Sequence, residues 1–360
     1  MRIFTTKKVW GLLAGMLMAG VTVAEAQPRQ PGGGSMSGDL VISKVFYNNM
    51  KDDQDKAFIM ANYIELYNNC SDTLDITGVY LGIADNTSST DAQFPNAWTA
   101  ANMQEVHNGC IALKQVFQIP TETTRLLAPG ESVVICNSAL NHTTTASAAP
   151  DLSEADYEVK SQHKSYKDHH NDAVPELRLI YTNAELNTFL QFMSPGPYGL
   201  VLLENDTELD MEDFYRNQTE GKKFKIVQAS KTIDAVDIVE HSVKTEPDAS
   251  QKRMPDSCDA GFTATTLPGG NHGEAVVRKT ASIDNGERVV LSDTNNSSVD
   301  FETTTSLAIR SYGNDLSGLS ITTVGQQTPT GNVLCDLQGR RVNGAPRHGL
   351  YIVNGKKVIF

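Results

Sequence analysis

The sequence predicts an all-β fold, and three observations support that prediction. Residues 40–47, LVISKVFY, form a nearly continuous run of β-branched and aromatic side chains, as expected of a strand that is covered on both faces. Residues 63–67 and 74–76 alternate strictly instead, which is typical of antiparallel strands with one wetter face. The intervening residues 68–72 read NNCSD and favour a tight turn, so the pair is predicted to form a hairpin.

Alternation with a period of two assigns each side chain of these strands to one face of the sheet. The residues predicted to point into the core are Ile64, Leu66, Leu74 and Ile76. The residues predicted to face the wetter side are Tyr63, Glu65, Tyr67 and Asp75.

Further short apolar runs follow along the chain and extend the prediction to a complete core. The predicted strands are 39–47, 63–68, 73–82, 132–136, 198–203, 232–239, 275–279 and 288–291. The side chains predicted to be buried together are Ile64, Leu66, Ile76, Val134, Leu202 and Val236.

The connections between these strands are long and polar. Residues 83–124 lose the alternation and are predicted to form an inserted loop. Residues 185–193 carry apolar side chains at helical spacing and predict a short helix, and a helical turn is predicted at 211–215. Residues 293–296, DTNN, are predicted to form a structured turn whose side chains accept hydrogen bonds from backbone N–H groups.

Several of these segments carry a resemblance to a known family. The segments, in chain order, are LVISKVFYN, YIELYNN, DTLDITGVYLG, LAPGESVVI, YGLVLLEND, TIDAVDIV, AVVRK and DTNNSSVDF. They resemble the lamin-tail domain and, more closely, the Bacteroidetes family named domain of unknown function 4876. The resemblance spans about residues 39–309 and implies an immunoglobulin-like β-sandwich with long loop insertions and a few short helices. It implies no catalytic residues.

The N-terminus is predicted to direct export. Residues 1–26 combine the cations Arg2, Lys7 and Lys8 with an apolar stretch at 9–23 and the sequence Ala-Glu-Ala at 24–26, the features of a cleaved signal peptide. The apolar stretch is shorter than the roughly 20 residues that a transmembrane helix needs. Residues 27–38 are rich in Pro, Gly and Ser and are predicted to be a flexible leader before the sandwich domain at 39–310.

The C-terminus is predicted to carry a separate small β-unit. Residues 311–331 form a linker of Gly, Ser, Thr and Asn, and 332–360 contain apolar runs on both sides of Asn354 and Gly355, a strong hairpin signal. The elements DLQGRRV and GLYIVNGKK resemble the C-terminal sorting domain of type IX secretion cargo. That resemblance implies a role in export or surface attachment.

Composition and motifs narrow the classes of function. The chain has 43 acidic against 30 basic residues, a formal net charge of −13, which disfavours broad attraction to nucleic acid or anionic lipid. It carries no HExxH, GxSxG or CxxC pattern, so we expect no enzyme, no catalytic residues and no cofactor. We interpret the five cysteines as small buried hydrophobic residues, either all as thiols or with one disulfide among them.

One cluster offers the ligand types of a transition-metal site. Residues 163–172, HKSYKDHHND, bring together His163, Asp168, His169, His170 and Asp172. Neighbouring histidines point apart in a strand and share no face of a helix, so the spacing is poor for chelation. We therefore expect an exposed loop without a preformed metal site.

These observations favour an exported, non-catalytic binding or accessory module at the cell surface or in the periplasm. Recognition is expected to lie in the loops of the sandwich, and the partner is expected to be a protein or a surface ligand, with an outer-membrane transporter as one candidate. Capture of a metal or nutrient together with such a transporter is the alternative, motivated by the histidine cluster. A third alternative is an extracellular hydrolase.

Overall fold

The structure is a computed structural model. It describes residues 36–84, 109–161, 166–183, 198–215, 221–239, 241, 252–284 and 288–311, together with strands at 334–335, 350–353 and 356–359. The chain divides into two compact units, Met1–Arg310 and Ser311–Phe360. The predicted signal peptide, most of the predicted leader and linker, and the predicted helix at 185–193 lie outside the described residues. No described helix is long and apolar enough to cross a membrane.

The first unit is built from short strands joined by irregular segments. In chain order the strands are β1 (Leu40–Phe46), β2 (Met50–Lys51), β3 (Ala57–Phe58), β4 (Tyr63–Asn68), β5 (Leu74–Asp75), β6 (Tyr80–Ala84), β7 (Cys110–Gln118), β8 (Leu126–Leu127), β9 (Ser132–Cys136), β10 (Tyr157–Glu158), β11 (Arg178–Thr182), β12 (Tyr198–Leu203), β13 (Asp210–Tyr215), β14 (Gly221–Gln228), β15 (Thr232–Ile238), β16 (Ala275–Arg278), β17 (Thr280–Asp284), β18 (Arg288–Leu291) and β19 (Phe301–Thr304). Its described residues also include the α-helix Ser297–Asp300 and the 3₁₀ turns His142–Thr144 and Ala229–Lys231.

Two sheets form the sandwich. The first has six strands in the order β10-β9-β4-β1-β16-β19, and the second has seven, with β13-β14-β7-β6-β12-β15 as its path and β11 paired to β7. All pairs in the two sheets are antiparallel except β9 with β10, which run parallel. The main core lies between the sheets, because both contribute to one cluster of buried apolar side chains. The predicted all-β sandwich is confirmed.

The predicted core is confirmed with one exception. Ile64, Leu66, Ile76, Leu202 and Val236 belong to the cluster between the sheets. Val134 is also fully buried, but it packs on the outer face of the six-stranded sheet with Phe46 and Tyr63, so its predicted place was wrong. The strand β9 pairs Val134 with Glu65, which already points away from the core.

The predicted wetter face of the six-stranded sheet is dry, which is a second correction. Tyr63 and Glu65 are fully buried and Tyr67 is 2% exposed. Tyr63 is covered because the segment after β9 folds back over this face and buries Ala146, Leu152 and other apolar side chains against it. Tyr67 instead donates its hydroxyl to the carbonyl of Val289, and Glu65 accepts hydrogen bonds from Ser132 Oγ and the N–H of Arg310. The polar insertion between 141 and 172 therefore includes a second layer of packing, which alternation in the strands alone does not reveal.

The segment predicted as a loop between 83 and 124 contains the nine-residue strand β7. Its partner β6 aligns Ile83 with Gln115 but Ala84 with Leu113, so Lys114 forms a β-bulge. Because the extra residue exchanges the faces, Leu113 and Val116 pack on one side of the sheet and Phe117 on the other. The bulge hides the alternation in the sequence.

Three further predictions are corrected by strand pairing. The hairpin predicted between 63–67 and 74–76 does not form, because β4 pairs with β1 and β9 while β5 pairs with β8. Residues 211–215 belong to β13 instead of a helical turn, because they pair along their whole length with β14, which itself extends β7. The predicted strand at 288–291 forms, but as β18 it pairs with β17 in a separate hairpin and adds no strand to the sandwich. The six-stranded sheet ends instead at β19, which the sequence analysis did not predict.

The second unit contains a three-stranded antiparallel sheet of β20 (Leu334–Cys335), β21 (Leu350–Val353) and β22 (Lys356–Ile359). Val353 pairs with Lys356 and Leu350 with Ile359. This register confirms the hairpin predicted on both sides of Asn354 and Gly355.

A buried arginine joins the two sheets. Arg278 leaves β16 and donates through Nη2 to Asp234 Oδ2 of β15 at 2.7 Å, and through Nε to the carbonyl of Ile42 in β1 at 3.0 Å. Both side chains of the Arg278–Asp234 pair are 1% exposed. The guanidinium also lies 4.7 Å from the ring centroid of Phe301 and donates to Asp293 Oδ1. The same Asp234 oxygen accepts the N–H of Ile42, so both sheets meet at one carboxylate.

Replacing Arg278 with Met should cost about 3–5 kcal/mol of unfolding free energy, because it leaves buried carboxylates without their cation. Urea unfolding followed by tryptophan fluorescence or circular dichroism measures the difference. The exposed Arg178 of β11 provides the matched control, and Arg178→Met should change the value by less than about 0.5 kcal/mol. Equal effects of the two substitutions would show that the buried network contributes little.

Candidate functional site

The described histidines of the predicted cluster are partly buried, and each makes its own separate contacts. His163 lies outside the described residues. The Nε2 of His170 lies 3.0 Å from the carbonyl of Ser161, and its Nδ1 lies 3.5 Å from Glu158 Oε1. The carbonyl of His169 accepts a hydrogen bond from Ser138 Oγ at 2.7 Å.

The described part of this segment, residues 166–172, is a loop as expected, but it is only partly exposed. Tyr166 is fully buried, and its hydroxyl donates to the carbonyl of Ile59 at 3.1 Å. Asn171 donates its N–H to Glu158 Oε2 and its side-chain amide to the carbonyl of Ala139. Asp168 and Asp172 are exposed. Within the described part of the chain, no three His, Cys, Asp or Glu side chains are grouped as metal ligands would be.

A cavity of about 490 Å³ lies at one end of the sandwich, where β7 and β15 begin and β14 ends. Ligand pockets commonly have about 300–1,000 Å³, so the size suits a small molecule or one unit of a larger one. Its polar side chains are hydroxyls and carboxamides: Ser37, Gln228, Ser230, Thr232, Ser257 and Asn295. We refer to it below as the end pocket.

The turn between β14 and β15 forms one wall of the end pocket. Gln228 is the last residue of β14, the 3₁₀ turn Ala229–Lys231 follows, and Thr232 begins β15. The N–H of Ala229 donates to the carbonyl of Gly109 at 2.7 Å, which joins the turn to the start of β7. This hydrogen bond fixes the wall to the seven-stranded sheet.

Cys258 lies at the base of this wall. It is 3% exposed, and its Sγ lies 3.4 Å from Thr232 Oγ1 and 3.7 Å from the carbonyl of Ala229. Burial raises the pKa of the Cys258 thiol, so the group is a neutral, packed side chain instead of a thiolate nucleophile. Cys70, Cys110, Cys136 and Cys258 are all free thiols.

Two buried carboxyl groups hold the opposite wall in place. Asp237 in β15 accepts the N–H groups of Arg253 at 2.9 Å and Met254 at 3.0 Å. Asp259 accepts the N–H groups of Asp237 and Ser297 at 2.8 Å each. These bonds attach residues 253–259 and the helix at Ser297 to the edge of the seven-stranded sheet. Both carboxyls are fully buried.

Burial, reinforced by the nearby Asp259, raises the pKa of Asp237 to about 8. Asp237 is therefore mainly protonated at neutral pH. A neutral carboxyl avoids a second buried negative charge beside Asp259, while its oxygens still accept backbone hydrogen bonds.

Asn295 completes the rim from the turn that precedes the helix Ser297–Asp300. Its φ of +53° lies in the left-handed region, which Asn tolerates better than most residues. Its carbonyl accepts the N–H of Ala260 at 2.7 Å. Gly261 is required beside it, because a Cβ there would lie 2.0 Å from Asn296 Oδ1. The predicted turn at 293–296 is confirmed, since Asn296 Oδ1 accepts the N–H of Ser298 at 3.1 Å.

No pattern in the sequence predicts the end pocket. Its polar side chains are Ser, Thr, Gln and Asn residues from four separate segments, and no local spacing marks them. The only local signal was the polar turn at 293–296, which was interpreted as structural.

A family model described as "Protein of unknown function (DUF4876)" matches residues 128–307, which is half of the chain. The chain belongs to the DUF4876 family. The match confirms the family resemblance drawn from the strand segments, and it includes Gln228, Thr232, Ser257 and Asn295 of the end pocket. The relation to lamin-tail domains stays a prediction.

A solved structure of a DUF4876 family protein from Bacteroides thetaiotaomicron VPI-5482 is similar to this chain. The two share 20% sequence identity and superpose with a TM-score of 0.59 over 74% of this chain and 71% of the other. At that identity the likeness shows a shared fold. No curated protein matches the chain significantly.

Because Asp237 is protonated in the folded state, we predict that the stability of the protein depends on pH. An aspartate has an ordinary pKa of 3.8, so between about pH 4 and pH 8 the folded state holds a proton that the unfolded state has lost. The unfolding free energy contributed by this group therefore falls as pH rises through that window. We expect Asp237→Asn to remove this part of the pH slope, although it weakens one backbone hydrogen bond at every pH.

Urea unfolding of both proteins at pH 5 and pH 8 measures the slope. Asp72, an exposed aspartate, is the control, and Asp72→Asn should keep the slope of the wild type. Identical slopes in the wild type and Asp237→Asn would contradict protonation of Asp237.

Proposed function

We propose that this DUF4876 protein is an exported, non-catalytic binding module that recognises its ligand with the end pocket. The observation that supports the proposal is the end pocket itself. It is large enough for a ligand, and its polar lining lies at the strand ends where loops can vary without disturbing the core. The carboxyl pair beneath it fixes its walls before any ligand arrives, which lowers the entropic cost of binding.

The chemistry of the lining supports binding rather than catalysis. The described lining residues include no imidazole, carboxylate or amine that could act as a general acid or base. The thiol that is present is buried and has a raised pKa. This arrangement can donate and accept hydrogen bonds but offers no group that would activate a nucleophile.

Export and surface attachment complete the proposal. The signal-peptide features of residues 1–26 support passage across the inner membrane. The small β-unit that contains β20, β21 and β22 supports a role as a sorting or attachment element of the type IX kind. The sandwich is proposed to share the lamin-tail arrangement of strands. An outer-membrane protein or a surface glycan is the proposed kind of partner.

Filling the end pocket tests the proposed site. Ser257 lines the pocket and is exposed, so Ser257→Trp should block the cavity without disturbing the core. Native mass spectrometry of protein purified from its own bacterial host should reveal a bound mass in the wild type that Ser257→Trp loses. Ser71→Trp, at an exposed serine in the turn after β4, should keep that mass. A bound mass that survives Ser257→Trp would place recognition elsewhere.

Removing the tail tests whether it serves export or surface attachment and not the stability of the sandwich. Deletion of residues 332–360 should leave the melting temperature of the sandwich nearly unchanged, because a linker poor in apolar residues buries little surface. The same deletion should change where the protein accumulates in its host, as measured by fractionation and immunoblotting. Unfolding or aggregation of the truncated protein would assign the tail to the fold instead.

A further inference from the structure

The six polar side chains of the end pocket share one property. A hydroxyl donates one hydrogen bond and accepts two, and a carboxamide donates and accepts at its two ends. Ser230, Thr232 and Ser257 bring hydroxyls, while Gln228 and Asn295 bring carboxamides. Such a lining suits a ligand whose own groups both donate and accept, as the hydroxyls of a saccharide do.

The surroundings of the end pocket disfavour an anionic ligand. The acidic groups that act on Cys258 at its base are the carboxyls of Asp237 and Asp259. The two nearby lysines are already paired: Lys231 lies 2.8 Å from Asp206 Oδ2, and Lys252 donates to Asp256 Oδ1 and to the carbonyl of Asp259. No described lining residue is a cation. An anion would therefore lose its hydration without gaining a partner of opposite charge.

A cationic ligand is disfavoured for a related reason. The oxygens of Asp237 and Asp259 are fully buried and are engaged by backbone N–H groups, so they do not open into the cavity. The proton on Asp237 lowers the negative charge behind the wall further. An uncharged ligand is the class that this environment accepts without a penalty.

A peptide added as a strand is also disfavoured. The outer edge of β15 is already paired at its C-terminal half, because the N–H of Asp237 donates to Asp259 Oδ2 and the N–H of Val239 to the carbonyl of Thr263. The N–H of Thr263 in turn donates to the carbonyl of Asp237 at 2.8 Å. Only the first few residues of β15 border the cavity, too few for the ladder of main-chain bonds that strand addition requires.

Ala229, Ile233 and Cys258 supply an apolar base beneath the polar rim. A sugar ring has the same division, with C–H groups on its faces and hydroxyls around its edge. We infer that the end pocket binds one unit of an uncharged saccharide, with Thr232, Gln228 and Asn295 contacting its hydroxyls. This inference rests on the proposed function and names the ligand class of the same pocket.

Titration calorimetry and glycan-array binding with the full mature chain test the inference. The probes are neutral oligosaccharides and matched oligosaccharides that carry sulfate or uronic acid groups. We expect binding to one or more neutral probes and at least tenfold weaker binding to their charged counterparts. Thr232→Val, Gln228→Ala and Asn295→Gly should each weaken the neutral probe by roughly tenfold, as expected for the loss of a ligand hydrogen bond. Glycine at 295 keeps the left-handed backbone that the turn requires.

The controls separate loss of binding from loss of fold. Gln54→Ala, in the exposed turn between β2 and β3, should bind as the wild type does. Ser230→Ala is a fourth pocket variant and not a control. It removes an exposed hydroxyl and carries little risk to folding. Melting temperatures of all variants identify any that are damaged.

Each outcome of these experiments either supports or contradicts the inference. Preference for the sulfated or uronic probes, or neutral binding that no pocket variant weakens, would overturn it. If no saccharide binds while native mass spectrometry shows a peptide or another small molecule lost in Ser257→Trp, the saccharide class fails and the binding module stands. If no bound mass and no saccharide binding are found, both proposals fail.

Discussion

The sandwich depends on one buried ion pair between its sheets. Arg278 and Asp234 face each other across the core at 2.7 Å, and the same carboxylate accepts the N–H of Ile42 in the six-stranded sheet. Buried charges are tolerated only when nearly all of their hydrogen-bonding capacity is used, and Arg278 meets that condition with carbonyl and carboxylate partners. This requirement sets how β1, β15 and β16 approach one another.

Other buried carboxyl groups also attach irregular segments to the sheets. Glu158 accepts the N–H groups of Ala139 and Asn171, and Glu65 accepts the N–H of Arg310. Asp237 and Asp259 do this beneath the end pocket. Glu158, Asp237 and Asp259 each accept two or more backbone N–H groups and Glu65 accepts one, so long loops remain fixed. Part of the acidic composition therefore has a structural role, and the buried carboxyls of Asp237 and Asp259 hold the walls of the end pocket in place.

The strength of a sequence pattern decided which elements could be predicted. The strands at 40–46, 63–68 and 198–203 were predicted because uninterrupted apolar or alternating runs mark them. The strand β7 was missed because the bulge at Lys114 shifts its alternation, and the burial of Tyr63 on the outer face was missed because its cover comes from residues 139–155. The end pocket was missed for a related reason, since Gln228, Thr232 and Asn295 converge only through strand order.

The sequence by itself determined the all-β character, the family and the main apolar core, because local alternation and short segment patterns carry that information. Only the tertiary structure decided which faces are dry, which carboxyls are buried and where polar side chains surround a cavity. Those properties depend on contacts between residues far apart in the chain, such as Arg278 with Asp234 and Asp259 with Ser297. Short-range patterns do not encode such contacts, because the energy that fixes them comes from desolvating one group against another after the strands have paired.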